Sequence, residues 1–389
     1  MANHPQERAQ VLRSLGAEDT VIQMLLEYNE ADFDLSGLQT LGNLPLPSEP
    51  HVQAWSGYAI AAQDQGSLFE MLQNKLMPFR FPIQAGISQT AEYRSATLRG
   101  IPPDPSQPGL QLAQPQALQL VIHPTLAGEI PILIAAERAD FESLVQALLH
   151  KNEPVVVPAA IGAYMVAGIP NWDRIAQLRQ AWVRQHPGQP WGSYFREQVV
   201  PHKALYQDAL MLLSDAPYSG IPADVIGLAE PDWRNLSLII RREHESTHYL
   251  TRRILGRMRN NLMDELMADY RGIVAAVGRF RADWFLLFLG LEDFPTYRAG
   301  GRLEHYRGIP PLSDSAFQIL QQMVVQAAHH LESADRQLTD RDPISQMALI
   351  LALAGLTLEE LVASEAVAHI VSQYEQVRAE LLNGRSGKC

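Results

Sequence analysis

The sequence predicts an α+β fold whose N-terminal half is mixed, with a short β-sheet, and whose C-terminal half is mainly helical. Short apolar runs bounded by turn-forming residues, which are typical of strands, occur before about residue 160. From about residue 232 onward, apolar residues instead recur at the spacing of one helix face. We therefore predict an α+β N-terminal region over 1–230, with room for two subdomains, and a helical domain over 231–389.

Composition limits the class of protein. The chain has 389 residues, 47% of them hydrophobic, and a formal net charge of −12, which argues against a nucleic-acid binder. Its one cysteine, Cys389, allows no internal disulfide and no cysteine-ligated zinc site. The first residues lack a basic-then-apolar signal pattern, and the longest apolar run, near 347–356, is shorter than the roughly twenty residues that span a bilayer. We expect a cytoplasmic protein without a membrane partner, and the sequence does not specify an oligomeric state.

The N-terminal region alternates helices, strands and irregular segments. Residues 1–30 have apolar positions at helical spacing, whereas 31–60 and 215–231 are interrupted by Pro and Gly, and 101–116 is predicted to be a Pro- and Gln-rich loop. Further helices are predicted at Ser67–Leu76, Ala139–His150, Asn171–His186 and Gly192–Leu213. Strands are predicted at Leu118–His123, Ile130–Ala135 and Val155–Val157.

The C-terminal domain is predicted to be a series of helices. They span Asp232–Leu255, Asn261–Val277, Arg281–Leu289 and Ser313–Leu338, followed by a pair between Pro343 and Leu382. Asp232, just after Pro231, is typical of the N-cap of the first of these helices, and Gly256 is typical of its C-terminal end.

The segment His244-Glu245-Ser246-Thr247-His248 has the clearest chemical pattern in the chain. On a helix, His244 and His248 lie one turn apart on the same face and can direct two imidazoles to one point, as a tetrahedral zinc ion requires. Glu245 lies at the edge of that face, where it can reach water rather than the metal. The stripe of the helix that carries the histidines has no charged residue, and we expect it to be buried; its other members are Trp233, Ser237, Ile240, Thr251 and Leu255.

A third ligand is expected from the following helix. Gly256–Asn261 is predicted to form a turn that sends this helix back across the first, with Glu265 and Asp269 on one face. Glu265 can bind the metal, and Asp269 can accept a hydrogen bond from the far nitrogen of a liganding histidine. Asp264 is the competing carboxylate.

This arrangement resembles the gluzincins, the thermolysin-like zinc metallopeptidases, whose motif is HExxH on one helix and ExxxD, here Glu265 to Asp269, on the next. The resemblance covers about residues 236–273. It implies one zinc ion per chain, with His244, His248 and Glu265 as ligands and Asp269 behind them. It also implies that Glu245 is the general base that activates water, that the C-terminal half is metallohydrolase-like, and that the substrate is a peptide or another amide.

One departure keeps a rival hypothesis open. Arg242 lies two residues before His244, at a position where the thermolysin-like metallopeptidases usually have an uncharged residue. The rival is a non-catalytic scaffold or interaction protein that retains the helix pair and is stabilised by the metal.

Other side chains are candidates for binding the substrate or the transition state. Arg241 and Arg252 lie on the Glu245 side of the helix and can hold an anionic group; alternatively, the arginines of this region neutralise nearby carboxylates. A hydrolase also needs an oxyanion donor, and the Gly-flanked segment 302–306 offers His305 and Tyr306, of which His305 could instead be an extra metal ligand. The alternative is that this segment is an ordinary surface loop.

Overall fold

The computed structural model of the chain describes residues 5–30, 33, 44–159, 161–256 and 262–386. The chain forms two compact units, a helical unit made of Met1–Leu46 with Pro217–Cys389, and a sheet unit made of Pro47–Ala216. The sheet unit contains a mixed sheet with helices, and the described part of the helical unit is mainly α-helix. The predicted α+β class with a mainly helical C-terminal half is therefore confirmed.

The sheet unit is built on four strands in the order β1-β2-β4-β3. They are β1, Gln119–His123; β2, Ile130–Ala135; β3, Ala163–Pro170; and β4, Gln207–Ser214. β2 and β4 pair in parallel, with Ile132 opposite Met211, and the two outer strands pair with them in antiparallel fashion. Every residue of β2 is buried, as expected for an inner strand covered on both faces.

Helices at 51–65 and 138–149 pack against the strands, and the described part of this unit contains six α-helices in all. They are α3, His51–Gln65; α4, Leu68–Lys75; α5, Ala91–Arg99; α6, Arg138–Leu149; α7, Trp172–Gln185; and α8, Trp191–Tyr194. Trp55 of α3 and Phe141 of α6 are fully buried in one apolar cluster with Leu212 of β4. Because this cluster joins helices to inner strands, the unit has its own hydrophobic core.

Three predictions for the sheet unit are wrong. Val155–Val157 is not a strand, and Val156 is 88% exposed. The predicted helix Gly192–Leu213 is helical only in short segments, the last of which ends at Leu205, and its leucine-rich C-terminal part forms β4. A fully buried apolar run has no alternation that separates a strand from a helix, which explains the second error. The last part of the supposedly irregular segment 31–60 forms α3, while 31–32 and 34–43 lie outside the described residues.

The helical unit contains nine helices in its described part. They are α1, Pro5–Ser14; α2, Asp19–Tyr28; α9, Glu230–Ile254; α10, Leu262–Val277; α11, Ala282–Leu289; α12, Asp314–Asp335; α13, Pro343–Ala354; α14, Leu358–Val362; and α15, Ala366–Ser386. The four predicted helices between 232 and 338 are confirmed to within a few residues at their ends, but the predicted pair between Pro343 and Leu382 is three helices, α13, α14 and α15. No described helix combines the length and apolar character needed to cross a bilayer.

The two helices that carry the motif residues approach each other closely. A Cβ added to Gly272 of α10 would lie 2.7 Å from the carbonyl oxygen of Ile240 on α9. Only a residue without a Cβ allows the two backbones to come this close. The contact lies one turn from His244 on α9 and from Asp269 on α10, so it brings the two motif segments together.

The N-terminal helices belong to the helical unit. Arg8 of α1 and Asn29, just after α2, bind the carboxylate of Glu359 on α14, at Nε–Oε2 and Nδ2–Oε1 distances of 3.2 and 3.1 Å. All three side chains are buried. The compact units thus differ from the predicted division into 1–230 and 231–389. The reason is that the apolar faces of α1 and α2 pack on C-terminal helices, a long-range contact with no local trace in the sequence.

Candidate metal centre

α9 presents the two histidines from a buried stripe. The predicted stripe members Trp233, Ser237, Ile240, Thr251 and Leu255 are all at most 3% exposed, and His244 and His248 are 6% and 5% exposed. Trp233 anchors the start of the helix by donating its indole N–H to the Ile221 carbonyl at 2.7 Å. The predicted burial of this face is therefore confirmed, and it places both imidazoles in a water-poor environment.

The two histidines and Glu265 direct their donor atoms to one point. The Nε2 atoms of His244 and His248 lie 3.1 Å apart, and they lie 3.5 and 3.6 Å from the two carboxylate oxygens of Glu265. A tetrahedral ion with metal–ligand distances of about 2.0–2.1 Å has ligand-to-ligand edges of about 3.3 Å. The separations match these edges, so the three residues form a cluster that can bind a metal ion.

The number of ligands bears on the type of metal site. Among the described residues, no fourth histidine, cysteine, aspartate or glutamate joins the cluster. Structural zinc sites have four protein ligands, whereas catalytic sites have three and keep one position open. The cluster supplies three ligands from the described residues.

Asp269 lies behind His244, as predicted for it. Its Oδ1 atom lies 2.8 Å from His244 Nδ1 and accepts a hydrogen bond from the Tyr218 hydroxyl at 2.6 Å. Burial, the largest influence, raises the pKa of Asp269, but Arg302, His244 and Tyr218 outweigh it and lower this pKa to about 2. An ionised Asp269 keeps the His244 proton on Nδ1 and leaves Nε2 free to bind a metal.

Asp264 takes an analogous position behind the second histidine. It is fully buried, and its Oδ2 atom lies 3.6 Å from His248 Nδ1, on the far side of that ring from the ligand cluster. It therefore does not compete with Glu265 for the metal. Burial, the largest influence, lowers the pKa of His248, but Asp264, Glu265 and Glu245 together outweigh burial and raise this pKa to about 9.

Arg302 and Tyr218 are site residues that we did not predict. The Arg302 guanidinium forms an ion pair with Asp269 and donates to the Tyr218 hydroxyl at 3.0 Å, and its side chain is 13% exposed. Tyr218 is only 4% exposed and also lies 2.9 Å from His244 Nδ1. The segment 302–306 drew attention for its histidine and tyrosine, so its arginine could have been considered. Tyr218 lies within the irregular segment 215–231, where no periodic pattern marks it as a site residue.

Tyr306 and His305 have different environments. The Tyr306 hydroxyl donates to Glu265 Oε2 at 2.8 Å, which places it beside the cluster. His305 is exposed, and the structure does not bring it to the cluster. The Tyr306 side of the segment is therefore part of the site, while His305 fits the alternative of an ordinary surface residue.

Glu245 is half-buried next to the histidines. It forms no hydrogen bond or ion pair with the described residues, although its charge acts on His248. The carboxylate oxygens of Glu245 are therefore free to bind a water molecule. This agrees with its predicted position at the edge of the histidine face.

The candidate substrate arginines do not lie together. Arg241 is buried, donates to the Pro217 carbonyl at 3.2 Å and lies 5.6 Å from the centre of the Tyr218 ring, whereas Arg252 is exposed. Arg241 thus supports Tyr218. Arg242 pairs with Glu243 at 3.2 Å, which agrees with the alternative that arginines here neutralise carboxylates.

Some predicted features lie outside the described residues. They are Cys389 and most of the predicted turn 256–261, although Gly256 itself has a positive φ of 70°, as expected at the end of a helix.

Comparison with known proteins gives a family but no activity. No curated protein and no solved structure matches the chain. Residues 10–365 match a protein family described as a family of unknown function, DUF7005, and this match includes the whole metal cluster. The chain therefore belongs to the DUF7005 family.

Proposed function

We propose that the protein is a zinc-dependent hydrolase that cleaves an amide bond, with a peptide as the first substrate to test. The observation that carries the proposal is the convergence of His244 Nε2, His248 Nε2 and the Glu265 carboxylate within 3.1–3.6 Å, without a fourth ligand from the described residues. Two imidazoles and one carboxylate are a ligand set that zinc favours in hydrolases. Zinc held there would polarise a substrate carbonyl and make water more acidic.

Each neighbouring residue then has a defined task. Glu245, whose carboxylate is free, takes a proton from the attacking water and transfers it to the leaving amine. Asp269 and Asp264 hold the two imidazoles from behind, and Arg302 keeps Asp269 ionised. Tyr306 is the candidate oxyanion donor, and it would have to exchange its hydrogen bond with Glu265 for one with the substrate.

Metal analysis and one substitution test this proposal. Purified protein should contain about one zinc per chain, which His244→Ala and His248→Ala should lose. Glu245→Gln should retain zinc but lose hydrolysis of a fluorogenic peptide library by at least a hundredfold, since general-base catalysis contributes about 10²–10⁴. The matched control is Glu230→Gln, an exposed glutamate at the far end of the same helix, which should change neither.

The competing proposal is a metal-stabilised scaffold without activity. The burial of all three ligands, each at most 6% exposed, favours it over an enzyme with an open cleft. In that case zinc should bind and raise the melting temperature, while the wild-type protein should hydrolyse no amide or ester probe. Protein that binds no zinc would contradict both proposals. A cytoplasmic location, which we also propose, requires localisation of the tagged protein.

A further inference from the structure

The strongest unexplained feature near the cluster is Tyr28, the last residue of α2. It is far from the motif in the sequence, yet its hydroxyl donates to the Tyr306 carbonyl at 2.5 Å. Burial, the largest influence, raises the pKa of this hydroxyl overall, and the Leu262 backbone lies close enough to the same hydroxyl to lower that pKa in part. Leu262 is the first residue of α10, one turn before Glu265. Tyr28 therefore binds the segment that carries Tyr306 and lies beside the start of α10, which carries Glu265.

Both contacts bear directly on Glu265. Tyr306 donates its own hydroxyl to Glu265 Oε2 at 2.8 Å, so the main-chain position of Tyr306 sets where that donor lies. α10 carries Glu265 itself, and the chain just before Leu262 lies outside the described residues. The Tyr28 hydroxyl thus lies beside the first described turn of the ligand helix.

The packing around Tyr28 allows little movement. A Cβ added to Gly308 would lie 3.3 Å from Cδ2 of the Tyr28 ring, so the segment after Tyr306 passes close beside this ring. At the other end, Asn29 and Arg8 bind the buried carboxylate of Glu359, and Arg8 also donates to the Leu26 carbonyl at 3.0 Å. The backbone next to Tyr28 is thus anchored to α14 through Asn29 and Arg8.

We infer that the N-terminal helix pair α1–α2 helps to set the geometry of the metal centre, and that Tyr28 on α2 is a positioning residue for Glu265. This inference rests on the metal-binding part of the proposed function and does not depend on catalysis. It assigns a role to residues 5–30 that their distance from the motif in the sequence does not suggest. Removal of one hydroxyl on α2 should therefore weaken metal binding on α9 and α10.

Zinc affinity of the full-length protein tests the inference. The apo protein is titrated with Zn²⁺ against a competing chelator, and the melting temperature is measured in parallel. Tyr28→Phe should weaken zinc binding about tenfold, within the range of about 10–100-fold found when the hydrogen-bonding partners of metal ligands are removed. The matched control is Tyr270→Phe, which removes a buried hydroxyl that donates to Asp335 at 2.6 Å in the same unit. This control should lower the melting temperature but leave zinc affinity unchanged.

A double-mutant cycle shows whether Tyr28 acts through Tyr306. Tyr306→Phe removes the donor to Glu265, so Tyr28→Phe should cost less zinc affinity in that background than alone. Unchanged zinc affinity in Tyr28→Phe, or equal losses in Tyr28→Phe and Tyr270→Phe, would overturn the inference. If Tyr28→Phe fails to fold, Asn29→Ala replaces it, because it loosens the attachment of the same segment to Glu359. Asn29→Ala should weaken zinc binding by a smaller factor, and unchanged zinc affinity would overturn the inference. Wild-type protein without zinc affinity would instead refute the proposed function, and the inference with it.

Discussion

The packing of α9 on α10 makes a prediction that links stability to metal binding. In Gly272→Ala, the new Cβ would lie 2.7 Å from the Ile240 carbonyl oxygen, whereas ordinary contact begins at 3.4 Å, so the helices must separate by up to 3.4 − 2.7 = 0.7 Å. Overpacking of this kind costs about 1–3 kcal/mol. For a domain of this size, about 2 kcal/mol corresponds to a fall of roughly 4–8 °C in melting temperature.

The same displacement should reach the metal ligands. His244 lies one turn from Ile240 and Glu265 lies two turns from Gly272, whereas metal sites tolerate deviations of only about 0.2 Å. We expect zinc affinity to fall at least tenfold, measured by chelator competition.

Gly57→Ala is the matched control for this substitution. Gly57 lies inside α3, and a Cβ added there meets nothing within 4 Å. This change should stabilise the protein by up to about 1 kcal/mol, because alanine favours the helix. A Gly272→Ala protein with the melting temperature and zinc affinity of the wild type would refute the close contact and the link to the site.

Three other outcomes are expected. Removal of zinc with a chelator should lower the melting temperature, because zinc at a hundred times its dissociation constant adds about 2.7 kcal/mol to the free energy of unfolding. An unchanged melting temperature would contradict a bound metal. Arg302→Met should destabilise the protein by about 3–5 kcal/mol in urea titrations, since it leaves buried Asp269 without its cation, while exposed Arg252→Met should have little effect. Gly301→Ala would place a Cβ 2.5 Å from the Leu289 carbonyl oxygen, so both stability and zinc affinity should fall. A loss of stability without a loss of zinc affinity would show that this loop does not position the metal ligands.

The sequence predicted local features of the site and missed those that depend on distant contacts. The motif helix and its buried stripe follow from helical periodicity, and so does the position of Asp269 relative to Glu265. Tyr218 and Arg302 reach Asp269 from positions 51 and 33 residues away, where no periodicity connects them. Their roles depend on how the loops before α9 and after α11 fold back, which local propensity does not determine.

The same distinction explains the errors in the sheet unit. β1 and β2 have short apolar runs with clear boundaries, and both were predicted. β3 contains Gly168 at a β-bulge, which breaks the alternation that marks a strand. β4 pairs with β2 and β3, and these partners, rather than its own leucine-rich sequence, make it a strand.

The electrostatics of the cluster support a cation independently of the motif. Asp269 is ionised at neutral pH, because its pKa is about 2, so it holds the His244 proton on Nδ1 and leaves a lone pair on Nε2. That lone pair faces His248 Nε2 at 3.1 Å and a Glu265 oxygen at 3.5 Å. Three acceptors at these distances in a buried site repel one another unless a positive charge lies among them. The raised pKa of His248, about 9, means that a proton supplies this charge when no metal is bound. A zinc ion would supply twice the charge at the same point and satisfy all three acceptors together, which a single proton cannot do.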